Sequence, residues 1–408
     1  MPTTFEYQVR DRAGKMVTGS IEAETQAAVA TRLKQMGYAP ISINEVNNKG
    51  MRGDISIPGL SRKKKIKLKD LAIMSRQFAT MINSGLSLLR ALNILSEQSS
   101  SPELGRVLGE VRNDVETGVS LSVAMAKHPK AFPPLMINMC RAGEVGGFLD
   151  SVLLQIAENY EAEVKLRSKV KAAMTYPVVV FVMAILMVIG MLLFVVPVFA
   201  KMFKDLGGKL PAPTQFLVIL SGAMKFLVPI GLVVLIGGTI IWSKIKNRED
   251  VRQIVDPLKL KVPVFGNLFK KIAVARFARN LGTMISSGVP ILQSLDIVAG
   301  TTGSMVLSNA VRDVQDSVRQ GESLSKPLEK HSVFPPMVVQ MMTVGEDTGA
   351  LDSMLAKIAE FYDQEVEATT ESLTALIEPL MIGFLGAIVG SMIIALYMPI
   401  FKIFSLIN

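Results

Sequence analysis

The residues best equipped for chemistry come in matched pairs. Arg76 and Arg279 occupy the same position in two similar segments, and Glu144 and Glu346 do so in two others. His128 and His331, the only histidines, each stand just before a Phe-Pro-Pro triplet. A histidine that works as a base or a metal ligand needs partners in reach, and neither has a cysteine or a second histidine beside it. Cys140 is the only cysteine and is matched by Met342 in the second segment, which excludes a disulfide framework and a Cys/His zinc site. A phosphate-binding loop is missing too: Gly14-Lys15 is followed by Met16 and Gly208-Lys209 by Leu210, where a magnesium-binding hydroxyl is required. No aspartate lies inside the long apolar segments, which removes an intramembrane aspartyl protease. The expectation is a chain that is not an enzyme and uses no cofactor or metal.

What remains is charge that could meet partners. Residues 360–378 carry six acids and no base, whereas residues 158–176 carry three acids and four bases. Arg167 and Glu371 are candidates for an attraction between these two stretches, within one chain or across a homo-oligomer. The plainer alternative is two solvated helix faces, since exposed pairs contribute only about 0–1 kcal/mol each. Glu378, directly before Pro379, could meet a cation on a partner or remain a hydrated interfacial carboxylate. Arg76, Arg279, Glu144 and Glu346 are read either as partner contacts or as ion pairs and helix caps repeated because the fold is repeated.

The elements that position these residues follow from hydropathy. Of 408 residues half are hydrophobic and 19% charged, with a net charge of +9, and the mean hydropathy is +0.39. Polar domains alternating with a few membrane spans reconcile these figures. Residues 172–200, Phe226–Trp242 and Pro379–Phe401 are uncharged runs of 29, 17 and 23 residues, against about 20 needed to cross the hydrocarbon. Thr214 onward leads into the second run, and Trp242 suits its boundary with water. Residues 1–30 lack an apolar core before a small-residue cleavage site, so no removable signal peptide is expected. Bases are dense before the first span and after the second, where residues 244–271 hold eight, and sparse in the loop 201–213, with three. The positive-inside rule then places the N-terminus in the cytoplasm and the C-terminus outside.

A repeat organises the rest. Arg76 to Ile94 matches Arg279 to Ile297 at nine of 19 positions, and Gly143 to Tyr160 matches Gly345 to Tyr362 at 11 of 18. The register continues into the spans, where Pro177 pairs with Pro379 and Pro197 with Pro399. Leu149, Leu153, Ile156 and Tyr160, like Leu351, Leu355, Ile358 and Tyr362, follow helical spacing. Gly85 and Gly288 read as helix stops, and the Phe-Pro-Pro triplets as turns. Alternation at Phe5, Tyr7 and Val9, a turn at Asp11–Gly14, alternation at Val17–Ile21, a helix from Thr25 to Met36 and Ile41–Ile43 suggest a small β-β-α-β module.

The chain is thus expected to be mainly α: a polytopic membrane protein with two repeated cytoplasmic helical bundles, three transmembrane helices and a small α+β N-terminal module. The expected divisions are a module at 1–46, a basic linker at 47–69, bundle 1 at 70–170 and a span at 171–200. A loop at 201–213, a span at 214–243 and a basic linker at 244–271 follow, then bundle 2 at 272–377, a span at 378–402 and an external end at 403–408. The run of bases at 62–69 suits anionic lipid, and nucleic acid is not expected without interleaved aromatics. Gly383, Gly386 and Gly390 favour close helix packing and a homo-oligomer.

Arg76 to Ile94, the Gly-Glu-x-x-Gly-x-Leu motifs at Gly143 and Gly345, Val262-Pro263-Val264-Phe265-Gly266 and Glu378-Pro379 together resemble the inner-membrane platform proteins of type IV pili and type II secretion (the PilC/GspF family). The resemblance covers almost the whole chain. It departs at one point, where the first copy has Tyr176-Pro177 and the second Glu378-Pro379. It implies a non-enzymatic machine part whose bundles engage a hexameric cytoplasmic assembly ATPase. Its spans would lift pilin or pseudopilin subunits into a filament, beside other inner-membrane alignment proteins. A type II secretion platform is the near alternative. A small membrane transporter is the distant one, opposed by the parallel repeat and the lack of ionisable residues deep in the first and third spans.

Overall fold

The computed structural model describes residues 3–10, 16–23, 26–36, 39–45, 65–205, 210–246, 248–263 and 265–404. The expected turn at Asp11–Gly14 and most of the first basic linker lie outside these residues. Residues 1–63 and 64–408 form separate units. In the first, β1 (Thr3–Arg10) pairs antiparallel with β2 (Met16–Ala23) and, after α1 (Gln26–Gln35), with β3 (Ala39–Glu45). The strand order is therefore β2-β1-β3. Period-two alternation puts Phe5 on one face of the sheet, where it is buried with Val29 and Leu33 of α1.

The second unit is built of helices joined by short turns, with no strand among its described residues. Bundle 1 comprises α2 (Leu68–Asn83), α3 (Leu88–Gln98), α4 (Pro102–Glu116), α5 (Leu121–Ala126), α6 (Pro134–Gly146) and the start of α7 (Leu149–Gly190). After α7 come one wide turn of π-helix (Met191–Val195), α8 (Val196–Asp205) and α9 (Ala212–Ile245). Next is α10 (Glu249–Lys261), and bundle 2 repeats the first plan with α11 (Phe265–Ser286), α12 (Ile291–Thr301), α13 (Met305–Arg319), α14 (Ser325–Glu329), α15 (Pro336–Thr348) and α16 (Leu351–Phe404).

Local chemistry sets the ends of these helices. Gly85 and Gly288 follow α2 and α11 at φ of 82° and 71°, a left-handed conformation that ends a helix without the cost a β-carbon brings. The second proline of each Phe-Pro-Pro triplet is the first residue of α6 or α15, where its missing N–H is not needed. The preceding phenylalanines, Phe132 and Phe334, are buried. Ser101 caps α4 through its hydroxyl, with Pro102 as the first helical residue. The two bundles share one continuous apolar core, anchored by Phe78 and Met139 in one and Phe277 and Met342 in the other. Each fully buried side chain of that size contributes about 1.5–3 kcal/mol relative to exposure.

Two expected boundaries are absent as breaks in structure. No helix ends at residues 170/171 or 377/378: α7 passes from its polar half into its apolar half, and α16 does so over 54 residues. Pro177 and Pro379 each remove one backbone hydrogen bond, yet neither stops the helix. The change from charged to apolar residues marks a change of solvent rather than of conformation. The second basic linker is also partly helical, since α10 and the start of α11 fall inside 244–271.

Three helices are long and apolar enough to cross a membrane: Leu149–Asp205, Ala212–Ile245 and Leu351–Pro399. They meet at the end remote from the bundles, where Leu192, Val196, Leu217, Met392, Ala395 and Leu396 are buried together. Pro197 and Pro399, equivalent in the repeat, each lack the N–H that would bond a carbonyl one turn earlier. The first span answers with the π-helical turn, closed by Val196 N–H bonding the Met191 carbonyl. In the third span the Thr214 hydroxyl of α9 donates instead to the freed Ala395 carbonyl. Beyond Ser221 no described residue of α9 is buried, so its remaining apolar surface faces lipid or a partner.

Candidate functional site at the junction of the repeats

The Gly-Glu-x-x-Gly-x-Leu motif has the same geometry twice. A β-carbon at Gly143 would lie 3.1 Å from the Leu149 Cα, and one at Gly345 would lie 3.0 Å from the Leu351 Cα. Glycine thus lets α6 and α15 press against the helices that follow. Gly147 and Gly349 make the turn between them at φ of 75° and 69°. Between the glycines, Glu144 accepts hydrogen bonds from the Leu121 and Ser122 N–H groups at the start of α5. Glu346 accepts from Leu324 N at 2.7 Å, Ser325 N at 3.2 Å and the Ser325 hydroxyl at 3.0 Å, at the start of α14. Unpaired N–H groups at a helix start favour a carboxylate, so both glutamates act as caps supplied from a neighbouring helix.

Arg76 and Arg279 are likewise engaged within their own copies. Arg76 grips Glu161 of α7 with two bonds, Nε–Oε1 at 2.7 Å and Nη2–Oε2 at 2.5 Å. The hydrogen bond from Arg76 holds the Glu161 carboxyl below its usual range. Arg279 pairs with Asp363 of α16, the equivalent position. The second arginine side chain is 10% exposed against 37% for the first, because it lies where the two copies meet.

That meeting place is a polar seam, and most of its residues escaped the sequence reading. Asn159 of α7 donates to Asn280 and Thr283 of α11, at 3.2 Å each. Gln155 accepts from the Ser286 and Ser287 hydroxyls. Glu163, only 13% exposed, bonds Arg276 across the seam at 2.7 Å and Arg167 along its own helix at 2.8 Å. Burial pushes the Glu163 carboxyl up, but the two guanidinium groups outweigh it and hold it below the usual range. Arg167 is therefore occupied by Glu163 rather than by Glu371. The acid–base contact between the two pre-membrane helices is made by Lys169 and Glu367 instead.

Along the seam a cleft of about 740 Å³ opens between α7, α11 and α16. Lys165 and Lys169 line one side of it, and Glu360, Asp363 and Glu367 the other. Among the described residues no group of three or more histidine, cysteine or acidic side chains is arranged to hold a metal ion. The matched histidines face carboxylates, His128 near Glu110 at 3.6 Å and His331 near Asp313 at 3.3 Å. Cys140 is fully buried, and burial pushes its thiol far above the ordinary value. Glu371 and Glu378 are exposed and have no ion-pair partner among the described residues. Of the seven candidate contacts, five are engaged inside the chain, and these two have no such partner among the described residues.

Comparison with known proteins agrees with this duplicated plan. The family model for type II secretion system protein F matches twice, at residues 74–197 and 277–399. The model for the N-terminal domain of that protein matches residues 1–44. The Type IV pilus assembly protein PilC of Myxococcus xanthus is 44% identical over 98% of this chain and 94% of its own length. The PilC of Thermus thermophilus is 43% identical over 99% of each chain, and the Type II secretion system protein F of Vibrio cholerae is 34% identical over 99% of each. With both bundles and the N-terminal unit matched, and with similarity running nearly end to end, the chain belongs to the type II secretion system protein F family, which includes proteins of type IV pilus assembly.

Proposed function

We propose that this chain is the inner-membrane platform of a type IV pilus assembly machine. In this reading a hexameric cytoplasmic ATPase for assembly or retraction works on the two bundles. The spans pass pilin subunits from the bilayer into the filament, and other inner-membrane alignment proteins hold the platform in place. The N-terminus is cytoplasmic and the C-terminus external, in line with the placing of the basic residues. The observation that carries the reading is the unbroken passage of α7 and α16 from bundle to span, which ties any movement of a bundle to its membrane helix. Glu371 and Glu378, unpaired at the point where α16 nears its apolar half, are the residues best placed to meet a pilin or a second copy. The basic run 62–69 contacts anionic headgroups.

Deleting the gene and measuring surface filaments beside secreted proteins tests this directly. Filaments should be lost while secretion stays normal. The reverse pattern would establish the second reading, a type II secretion platform that assembles a pseudopilus. That reading draws on the 34% identity to a protein named for type II secretion.

A further inference from the structure

The helix α10 has two unlike faces. Residues two apart on a helix point in nearly opposite directions, and Asp256 and Ile254 are such a pair. The Asp256 side chain, 5% exposed, bonds Arg252 and Lys259 and accepts the Met305 N–H at 3.0 Å, capping the start of α13. This face is fixed to bundle 2. On the other face Ile254 and Leu258 are 66% and 58% exposed, and Val262 just beyond the helix is 44% exposed. These three follow an i, i+4, i+8 stripe with nothing of the described chain over it. Lys261 borders the stripe, and Lys244 and Lys246 precede the helix. All three are exposed and have no carboxylate partner among the described residues.

Both ends of α10 are tied near the membrane boundary. At its start, three residues separate it from the end of α9, which carries Trp242 three positions before that end. At its finish the chain enters α11, whose Leu268 is buried with Leu166, Val366 and Leu373 and flanked by Phe265 and Val170. Those partners stand just before the apolar halves of α7 and α16. We propose that α10 is an interfacial helix that lies on the bundle-side leaflet, with Ile254, Leu258 and Val262 among the acyl chains and Lys244, Lys246 and Lys261 on anionic phospholipid headgroups. An apolar stripe bordered by bases, held at the membrane surface and turned away from the bundle, suits such a bilayer. Recognition of headgroup charge would weaken in salt while the apolar insertion would not.

Spin labels test the placement in the full chain reconstituted into bilayers. Leu258→Cys carries the probe and Arg312→Cys, on an exposed face of α13, carries the control; Cys140 is fully buried and is not expected to react. In an equal mixture of phosphatidylglycerol and phosphatidylethanolamine, the label at 258 should collide several-fold more with oxygen than with a water-soluble nickel chelate. The label at 312 should show the opposite preference. In phosphatidylcholine alone the preference at 258 should shrink, and Lys244→Gln with Lys246→Gln and Lys261→Gln should shrink it likewise. Free access of nickel to position 258 in both bilayers overturns the proposal. A label shielded from both reagents whatever the lipid also overturns it, because a protein surface, such as a second copy, then covers the stripe. Equal oxygen preference in both bilayers overturns the recognition of headgroup charge.

Discussion

The motif Gly-Glu-x-x-Gly-x-Leu does the same work in both bundles, whereas the helix that follows it works differently in each. In the first copy the middle of α7 carries Gln155, Asn159 and Glu163, and all three reach across to α11. In the second copy the equivalent positions are Lys357, Phe361 and Glu365. Phe361 is 41% exposed, and Glu365 turns back to Lys271 of its own bundle at 2.6 Å. The partner face differs in the same way: Arg276, Asn280 and Thr283 of α11 correspond to Ile73, Gln77 and Thr80 of α2, which are exposed. The copies thus agree where each bundle holds itself together and differ where one holds the other.

Breaking the seam should have the largest effect. Arg276→Ala leaves the buried Glu163 with Arg167 as its one remaining cation, a loss of about 1.5–3 kcal/mol. Thermal unfolding of the solubilised chain should register this clearly, while Lys271→Ala, the matching change in the second copy, should cost less because Glu365 is 39% exposed. Equal shifts would mean the seam is no stronger than an ordinary surface pair. Acid should act on the same group. A carboxyl held below its usual range stabilises the fold fully above that range and loses the contribution as pH falls through its folded value. The unfolding temperature should therefore drop on acidification below about pH 4, and Glu163→Gln should flatten that drop; an unchanged acid limb would remove Glu163 from the account.

Smaller effects test the shared scaffold. Gly143→Val and Gly345→Val each force a side chain against the next helix and should cost about 1–3 kcal/mol. The two values should be alike, and a difference beyond about 1 kcal/mol would show that the copies are not equivalent even internally. Glu144→Ala and Glu346→Ala remove caps and should cost about 1 kcal/mol, with the second slightly larger because it also loses the Ser325 hydroxyl. Arg76→Ala should change stability least, by under about 1 kcal/mol, since both members of its pair are well exposed. If it matched Arg276→Ala, exposure would be a poor guide to these pairs.

Much of this was legible because a repeat states its constraints twice. Glycines needed for turns and close approaches, the capping glutamates and the buried phenylalanines recur at a spacing that changes by a single residue along the repeat, so the helices could be read off by register. The seam was illegible for the opposite reason: its residues lie more than 100 positions apart, and several of them, such as Asn159, Arg276 and Asn280, differ from their counterparts in the other copy. A usable signal did exist, namely polar residues such as Asn159 and Arg276 that replace Phe361 and Ile73 inside otherwise matched helices. The continuity of α7 and α16 was hidden by composition, since charge gives way to apolar residues at the membrane surface while backbone hydrogen bonding does not change. In α10 the many bases resembled a linker, yet burial of Asp256 and the cap it makes on α13 hold a helix there.

The position of two prolines sets a mechanical ratio. The helical run Leu149–Asp205 has 57 residues with Pro177 at its centre, and α16 has 54 with Pro379 beside its centre. Each of these prolines leaves its helix one hydrogen bond short near the middle, as Pro197 and Pro399 do nearer the far end, and a pivot placed at the middle would have equal arms. With arms of roughly 40 Å on either side, at 1.5 Å per residue, a tilt of about 5° carries each tip roughly 3.5 Å. Equal arms give no mechanical advantage: such a see-saw returns at one end the displacement and the force applied at the other, reversed in direction.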